Sequence, residues 1–276
     1  MEALLISILL GAIIGVILAL TGAGGTIIAV PLLVTGLNLA IAEAAPIALF
    51  AVCLSSGFAA LVAHRRKQVR YRAAGFIALT GILTAPAGIW LAQHLPNAPL
   101  TVLFALILLS VAAGMLRQNM HKENAATVCT DGQSDSAATP CQLGYDQGRL
   151  IWNWRCARAL AWAGIVTGFL SGLLGVGGGF VVVPALKKAT NLPIQSILAT
   201  SLAVITLISA VSVVSAALLG GMNWAIALPF AAGALAGALA GRLLAHYLAG
   251  PKLQQGFAVV SMGVSIWMIV RLFWVA

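Results

Sequence analysis

Long apolar runs separated by short polar stretches make up most of the chain. A membrane crossing needs about 20 apolar residues in a helix. Three runs in each half have roughly this length, at 42–63, 73–95 and 100–116 and then at 195–219, 225–248 and 254–272. Each half opens with a further apolar run that glycines interrupt, at 4–36 and at 160–189. The pattern predicts an all-α, polytopic membrane protein.

The two halves are copies of one repeat. Gly11 and Gly164 are 153 positions apart, and the same offset superimposes Gly15 on Gly168 and Pro31 on Pro184. Chance matching in apolar sequence produces paired Leu and Ala, but it does not place so many paired Gly and Pro at one offset. We therefore predict an internal duplication.

Composition excludes a soluble fold. Hydrophobic residues make up 61% of the 276 positions, charged residues make up 8%, and the mean hydropathy is +1.05, whereas soluble domains carry about 25% charged residues. The net charge of +9 is concentrated in loops such as 65–72. This is typical of loops retained in the cytoplasm rather than of a nucleic-acid surface. We expect the lipid bilayer to be a partner and nucleic acid not to be one.

The distribution of basic residues also bears on topology. If the first run of each half crosses the membrane, the halves are parallel. If it re-enters as a pair of half-helices, each half has three crossings and the second half is inverted. Lys187, Lys188 and Arg242 then join the 65–72 loop on the cytoplasmic side, which favours two inverted repeats. We predict repeats at 1–117 and 159–276, a cytoplasmic linker with an interfacial segment at 118–158, and external termini in the inner membrane.

The glycine interruptions are the predicted ligand site. Backbone that leaves helical geometry within a bilayer must be buried in protein or line a polar cavity. A half-helix that starts after a break offers free N–H groups and a positive dipole end, which suit an anion. The residues that we assign to binding at the breaks are Thr21, Gly22, Gly24, Gly25, Thr26, Gly175, Gly177, Gly178 and Gly179. The alternative is packing through small residues, which we assign to Gly11/Gly15 and Gly164/Gly168.

Several motifs resemble the TauE/SafE family of sulfite exporters. They are the run 168–184 with its Gly-Val-Gly-Gly-Gly, the Ala-Thr-Ser-Leu at 199–202 and the Gly-Gly-Met-Asn-Trp at 220–224, with a weaker copy in the first half. The resemblance implies a transporter of sulfite, sulfonates or related small anions. The first half departs from the pattern, because Pro46-Ile47-Ala48 stands where Ala-Thr-Ser is expected.

Hydroxyl side chains can bind an oxyanion without a buried counter-charge. The candidates beside the breaks are Thr200, Ser201, Thr206 and Ser209, with Cys53 and Ser56 at the repeat-equivalent positions of the last two. The alternative for each hydroxyl is a hydrogen bond to its own helix one turn back. A cysteine within an apolar run, such as Cys53, more often serves as a small apolar packing residue than as a ligand-binding group.

Other classes of function have less support. Neither a rhomboid-type GxSG nor an HExxH is present, so we predict no enzyme, and no cofactor or metal. The linker is too short for the folded domain of a sensor. We predict an exporter of a small sulfur-containing anion, driven by membrane potential, with import of thiosulfate or sulfate as the alternative. A homodimer is left open. A Cys129–Cys141 disulfide would require an oxidising compartment, which the charges argue against.

Overall fold

Helices form almost all of the structure. The computed structural model describes residues 2–21, 26–37, 39–65, 70–125, 141, 154–190, 194–220, 222–248, 256, 259–268 and 270. The helices are α1 (Glu2–Thr21), α2 (Thr26–Leu37), α3 (Ile41–Arg65), α4 (Tyr71–His94), α5 (Asn97–Ala125), α6 (Trp154–Leu174), α7 (Gly179–Ala189), α8 (Ile194–Leu218), α9 (Trp224–Leu248) and α10 (Val259–Met268).

These helices confirm the predicted polytopic membrane fold. In the described part of the chain, α3, α4, α6, α8 and α9 are long and apolar enough to cross a membrane, and shorter apolar helical stretches lie in α1, α2, α5 and α10. Helix α5 continues to Ala125 and α6 begins at Trp154, so both extend into the segment that we predicted as linker. Large apolar side chains such as Leu79, Leu83 and Trp90 of α4 are exposed, as a lipid-facing surface requires.

The first two helices of each half form a hairpin. Gly36 near the end of α2 faces the Leu10 side chain of α1, where an added Cβ would lie 2.8 Å from Leu10 Cδ1. In the second half, Cys156 and Leu160 at the start of α6 share a buried cluster with Leu186 and Ala189 at the end of α7. Helix α6 is about 31 Å long and α7 only about 16 Å. Because the end of α7 packs near the start of α6, the chain enters with α6, turns, and returns toward the same end with the shorter α7.

Each hairpin packs against the opposite half. Gly11 and Gly15 of α1 lie against the backbone of Phe230 and Ala234 in α9, and Gly237 of α9 lies against Ala12. The residue numbers of the contacting positions increase together in both helices, so α1 and α9 run parallel. An added Cβ at these glycines would meet backbone atoms, which confirms that they serve close helix packing.

The equivalent seam joins α6 to α4. Gly164 lies against Ile77 and Thr80, and Gly168 lies against Gly81. Gly172 and Gly88 continue the contact further along, so α4 and α6 also run parallel. The first helix of each half thus packs on the fourth helix of the other half, as two-fold pseudosymmetry requires.

Helices α3 and α8, which the repeat makes equivalent, cross each other at the centre. Thr206 Oγ1 lies 3.0 Å from Ser56 Oγ, and Ala63, near the end of α3, packs with Ala199, near the start of α8. The residue numbers of the contacting positions decrease in α8 as they increase in α3, so the two helices are antiparallel. Antiparallel equivalent helices support the inverted arrangement, whose membrane sidedness stays a prediction.

One end of the molecule, which we call the basic end, gathers the ends of five helices. The Arg70 N–H before α4 donates to Thr200 Oγ1 of α8 at 3.2 Å, and Ala73 of α4 shares a buried cluster with Cys156 and Ala189. These contacts place the end of α3, the starts of α4, α6 and α8, and the end of α7 together. The exposed basic side chains at this end are Arg65, Arg72, Arg155, Arg158 and Lys187.

The cysteines pair differently from the pair considered in the sequence. Cys141 forms a disulfide with Cys156 of α6, and its N–H donates to the Ala189 carbonyl of α7 at 3.0 Å. Cys129 lies outside the described residues. Residue 141 is therefore held against both helices of the second hairpin, a contact that the polar composition of the linker did not predict.

Candidate functional site

The predicted break of the second half is a tight turn of left-handed backbone. Helix α6 ends at Leu174 and α7 begins at Gly179. Gly175, Gly177 and Gly178 have φ of +72°, +67° and +68°, a region that side-chain-bearing residues rarely adopt. The glycines of this turn are therefore required by backbone conformation. A continuous helix is excluded.

The turn is buried at mid-depth between α3 and α8. A Cβ added to Gly177 would lie 3.0 Å from Val52 Cγ1, 3.3 Å from Ile205 Cγ2 and 3.4 Å from Ser209 Oγ. Val52 is near the middle of α3, and Ile205 and Ser209 flank the middle of α8. Since α3 and α8 are long enough to cross the membrane, Gly177 lies near the middle of the crossing.

Three buried hydroxyls beside this turn have no hydrogen-bond partner. They are Thr167 Oγ1 and Ser171 Oγ of α6 and Ser209 Oγ of α8, and all three side chains are fully buried. Gly178 lies against the Thr167 side chain, and the Gly175 N–H donates to the Ser171 carbonyl at 2.9 Å. We call Thr167, Ser171 and Ser209 the turn hydroxyls. A buried polar atom without a partner costs about 1–3 kcal/mol, which a bound ligand would offset.

Helix α7 starts without a side-chain cap. Its N-cap residue is Gly178, and no side chain hydrogen-bonds there. The first N–H groups of a helix have no partner within it, and the positive end of its dipole lies at the same place. The Gly178 carbonyl accepts from Val181 and Val182, so it is the N–H groups that the turn offers to a ligand.

The other predicted hydroxyls bond to their own helices. Thr200 Oγ1 donates to the Ser196 carbonyl at 2.6 Å and Ser201 Oγ to the Leu198 carbonyl at 2.8 Å. Both lie on the basic-end side of Thr206. Both side chains therefore follow the alternative to ligand binding, which is a hydrogen bond to the helix's own backbone about one turn back.

The predicted residues at the α3–α8 crossing are also satisfied. Thr206 Oγ1 lies 2.8 Å from the Leu202 carbonyl, and Ser56 Oγ donates to the Val52 carbonyl at 2.6 Å. The Cys53 thiol points to the Thr206 carbonyl at 3.8 Å. The structure thus brings Gly177, Ser209, Thr206, Ser56 and Cys53 to the centre, and of these side chains only Ser209 has no hydrogen-bond partner.

The break of the first half cannot be compared with the second. Gly22, Gly24 and Gly25 lie outside the described residues. Thr21 is the last described residue of α1 and Thr26 the first of α2, so the predicted interruption falls on the residues between them that the structure does not describe. The assignment of these five residues to binding stays a prediction.

Sequence reasoning missed Thr167 and Ser171. They are four residues apart on α6 and so lie on one helix face. Ser171 lies in the Gly-Phe-Leu-Ser-Gly sequence at 168–172, whose spacing does not match the rhomboid-type GxSG. The signal that could have found them is this i, i+4 pair of hydroxyls directly before a glycine run. Within the described ranges, no group of three or more His, Cys, Asp or Glu side chains could hold a metal.

A broken helix end buried at mid-depth in a polytopic helical protein is typical of membrane transporters. The chain belongs to the Sulfite exporter TauE/SafE family, whose sequence profile matches residues 7–268. It is 31% identical to a "Probable membrane transporter protein" of Xylella fastidiosa strain Temecula1, over 98% of this chain and 96% of that protein. The counterpart in strain 9a5c is similar to the same extent. A "Probable membrane transporter protein YunE" of Bacillus subtilis is 42% identical over 25% of each chain. No solved structure matches.

Proposed function

We propose that this transporter exports a small sulfur-containing anion, sulfite or an organosulfonate, and binds it at the turn between α6 and α7. The observation that carries the proposal is the set of three buried, unpartnered hydroxyls on the two helices that flank an uncapped helix start, with Ser209 Oγ next to Gly177. Hydroxyl and backbone N–H donors form charge-assisted hydrogen bonds to an oxyanion. The family supports the substrate class, since its description names sulfite export.

Binding requires the hairpin to move. Gly177 is in close contact with Val52 and Ile205, so the packed turn leaves no room for an anion of several heavy atoms. The α6–α7 hairpin is held to α4 by a glycine seam, and α3 and α8 form the opposite wall. We infer that α4 with the hairpin shifts relative to α3 and α8 to admit the anion, as one unit of a transporter moves against another in alternating access.

The orientation follows from charge. The exposed basic side chains gathered at the basic end predict that it faces the cytoplasm, with both termini outside and the linker inside. By repeat symmetry the first hairpin then enters from the external end, and we expect the break at 22–25 to complete the site from that side. Moving one negative charge outward across a membrane with an inside-negative potential releases about 2.3 kcal/mol per 100 mV, so the potential alone can drive export.

Flux into sealed proteoliposomes tests the proposal. We expect purified protein to carry sulfite and methanesulfonate in the direction set by an imposed potential. Ser171→Ala and Ser209→Ala should each weaken binding by about tenfold or more, because a hydrogen bond to a charged group contributes about 1.5–3 kcal/mol. Neither variant should lose stability, since neither hydroxyl has a partner in the ligand-free protein.

The matched control is Ser265→Ala. Ser265 is also fully buried, but its hydroxyl donates to the Ala105 carbonyl at 2.7 Å and lies on α10. We expect it to lose stability and keep its affinity. Flux that ignores the potential and follows a pH gradient would rule out the proposed driving force. Unchanged affinity in both turn variants would move the site away from this turn.

A further inference from the structure

The interior of the described structure contains no charged side chain. The buried polar residues are all serines and threonines, and the basic side chains named above are exposed at the basic end. A ligand at the turn therefore meets hydroxyls and backbone N–H groups and no counter-ion. This composition constrains the charge of the anion that can bind.

The cost of burying an ion rises with the square of its charge. The idealised cost for one charge is of order 20 kcal/mol, and several kcal/mol remain in real proteins. A dianion therefore faces about four times the desolvation cost of a monoanion of equal size, while it meets the same few donors. Arg and Lys are common at sites that bind multiply charged phosphates.

Hydroxyls also match a protonated anion. A serine or threonine hydroxyl is one donor and two acceptor lone pairs, whereas a backbone N–H or a lysine only donates. The turn hydroxyls can therefore accept a hydrogen bond from an O–H of the ligand while the N–H groups of α7 donate to its oxygens. A monoanion that still carries a proton uses both capacities.

We propose that the turn site is selective for singly charged anions. It takes a singly charged organosulfonate such as methanesulfonate as it is and sulfite only as its protonated form, bisulfite, and it rejects the sulfite and sulfate dianions. The inference rests on the proposed function, because it assigns the charge state of the anion at that same site. Each transport event then moves one negative charge.

The protein itself offers few groups that could imitate such a pH dependence. By sequence position, the titratable residues of the helices around the turn fall near the ends of these helices. They are Glu43, His64 and Arg65 on α3, Tyr71, Arg72 and His94 on α4, Arg155 and Arg158 on α6, Lys187 and Lys188 on α7, and Arg242, His246 and Tyr247 on α9. Helix α8 carries none, and Cys53 of α3 is the exception at the centre.

Binding to the purified full chain tests the inference with three probes. Methanesulfonate is a monoanion throughout the accessible pH range, so its affinity should not change with pH. Any change that does occur would report a titration of the protein itself. The apparent affinity for sulfite should fall about tenfold per pH unit once bisulfite loses its proton, because only the protonated fraction binds. Sulfate should not compete. Ser209→Ala should lower the affinities for methanesulfonate and for bisulfite by the same factor.

The possible failures are distinguishable. A sulfite affinity that stays flat through the deprotonation of bisulfite, or sulfate that competes as well as methanesulfonate, overturns the selectivity and leaves the proposed transport standing. A pH profile that survives while Ser209→Ala changes neither affinity also overturns it, because the discrimination then lies elsewhere. If none of the three anions binds to the wild-type protein, the proposed function fails together with the inference.

Discussion

Positions 200 and 201 of α8 hold Thr and Ser, whereas the equivalent positions of α3 hold Ile47 and Ala48. All four side chains are buried, so the difference is between an apolar and a hydroxyl-bearing interior. Further along the pair the two helices are matched, because α8 adds the buried Ser209 and Ser212 and α3 adds the buried Ser55 and Ser56. Ser55, Ser209 and Ser212 have no hydrogen-bond partner.

The two halves nevertheless share one architecture. Each begins with a helical hairpin, and each hairpin packs through glycines on the fourth helix of the other half. The glycine contacts of the two predicted repeats thus match, whereas the buried side chains at 47–48 and at 200–201 differ. Among the described residues, Thr167 and Ser209, which lie against the turn, both belong to the second half.

The largest expected effect is at Gly178. A left-handed conformation costs a side-chain-bearing residue about 1–3 kcal/mol, and a Cβ at Gly178 would also collide with the Thr167 side chain, which adds about 1–3 kcal/mol of overpacking. We expect Gly178→Ala to lose transport and several kcal/mol of unfolding free energy, as measured by flux and by denaturation in detergent.

Gly220→Ala is the control for backbone strain alone. Gly220 has φ of +72° and no neighbouring atom within 4 Å of an added Cβ, so only the conformational cost applies. We expect this variant to be destabilised less than Gly178→Ala and to keep transport. Equal losses in the two variants would mean that packing at the turn is unimportant.

The next largest effect concerns the disulfide, which the first half lacks, since Ala3 occupies the place equivalent to Cys156. The Cys141–Cys156 bridge closes a sequence separation of 15 residues, for which a stabilisation of about 3 kcal/mol is typical. We expect reductant to lower the melting temperature of the oxidised wild-type protein to that of Cys156→Ser.

Cys53→Ser is the control for this experiment, because Cys53 is a free cysteine and its substitution should leave the response to reductant intact. A wild-type melting temperature that is insensitive to reductant would contradict the expected role of the bridge. Disulfides are rare in the cytosol and the basic end is predicted to face it, so we expect the two thiols to be reduced in unstressed cells.

The sequence predicted the membrane fold closely because apolar runs and glycine runs are both local features of the chain. Apolar runs located the described helices to within a few residues at most of their ends, and the glycine run located the turn from Gly175 to Gly178. The linker was predicted less well. The composition of residues 118–158 reported polarity but not the pairing of Cys141 with Cys156, which depends on contacts between distant segments.

The chemistry of the site was predicted less fully. A membrane serine can bond to its own helix or to a ligand, and the sequence does not distinguish the two. Thr200 and Ser201 proved to bond locally, whereas Ser209 has no partner. Thr167 was not singled out, because its proximity to Gly178 arises from the return of the chain through the left-handed turn.

The smallest expected effect, and the sharpest comparison of the two halves, is between the repeat mates Ser56 and Ser209. Ser56 Oγ donates to the Val52 carbonyl and lies 3.0 Å from Thr206 Oγ1, so Ser56→Ala removes hydrogen bonds that exist without ligand. We expect it to lose about 1 kcal/mol of unfolding free energy and to keep most of its affinity for methanesulfonate. Thr206 retains the Leu202 carbonyl as a partner, which limits the loss.

Ser209→Ala should behave in the opposite way. Its hydroxyl is buried without a partner, so its removal leaves stability unchanged or raises it by up to about 1 kcal/mol, while affinity falls about tenfold. Unfolding curves and binding isotherms of the two variants therefore separate a structural from a ligand-binding hydroxyl within one pair of equivalent positions. Similar affinity losses in both would show that the halves contribute equally, and a larger loss in Ser56→Ala would assign the main contribution to the first half.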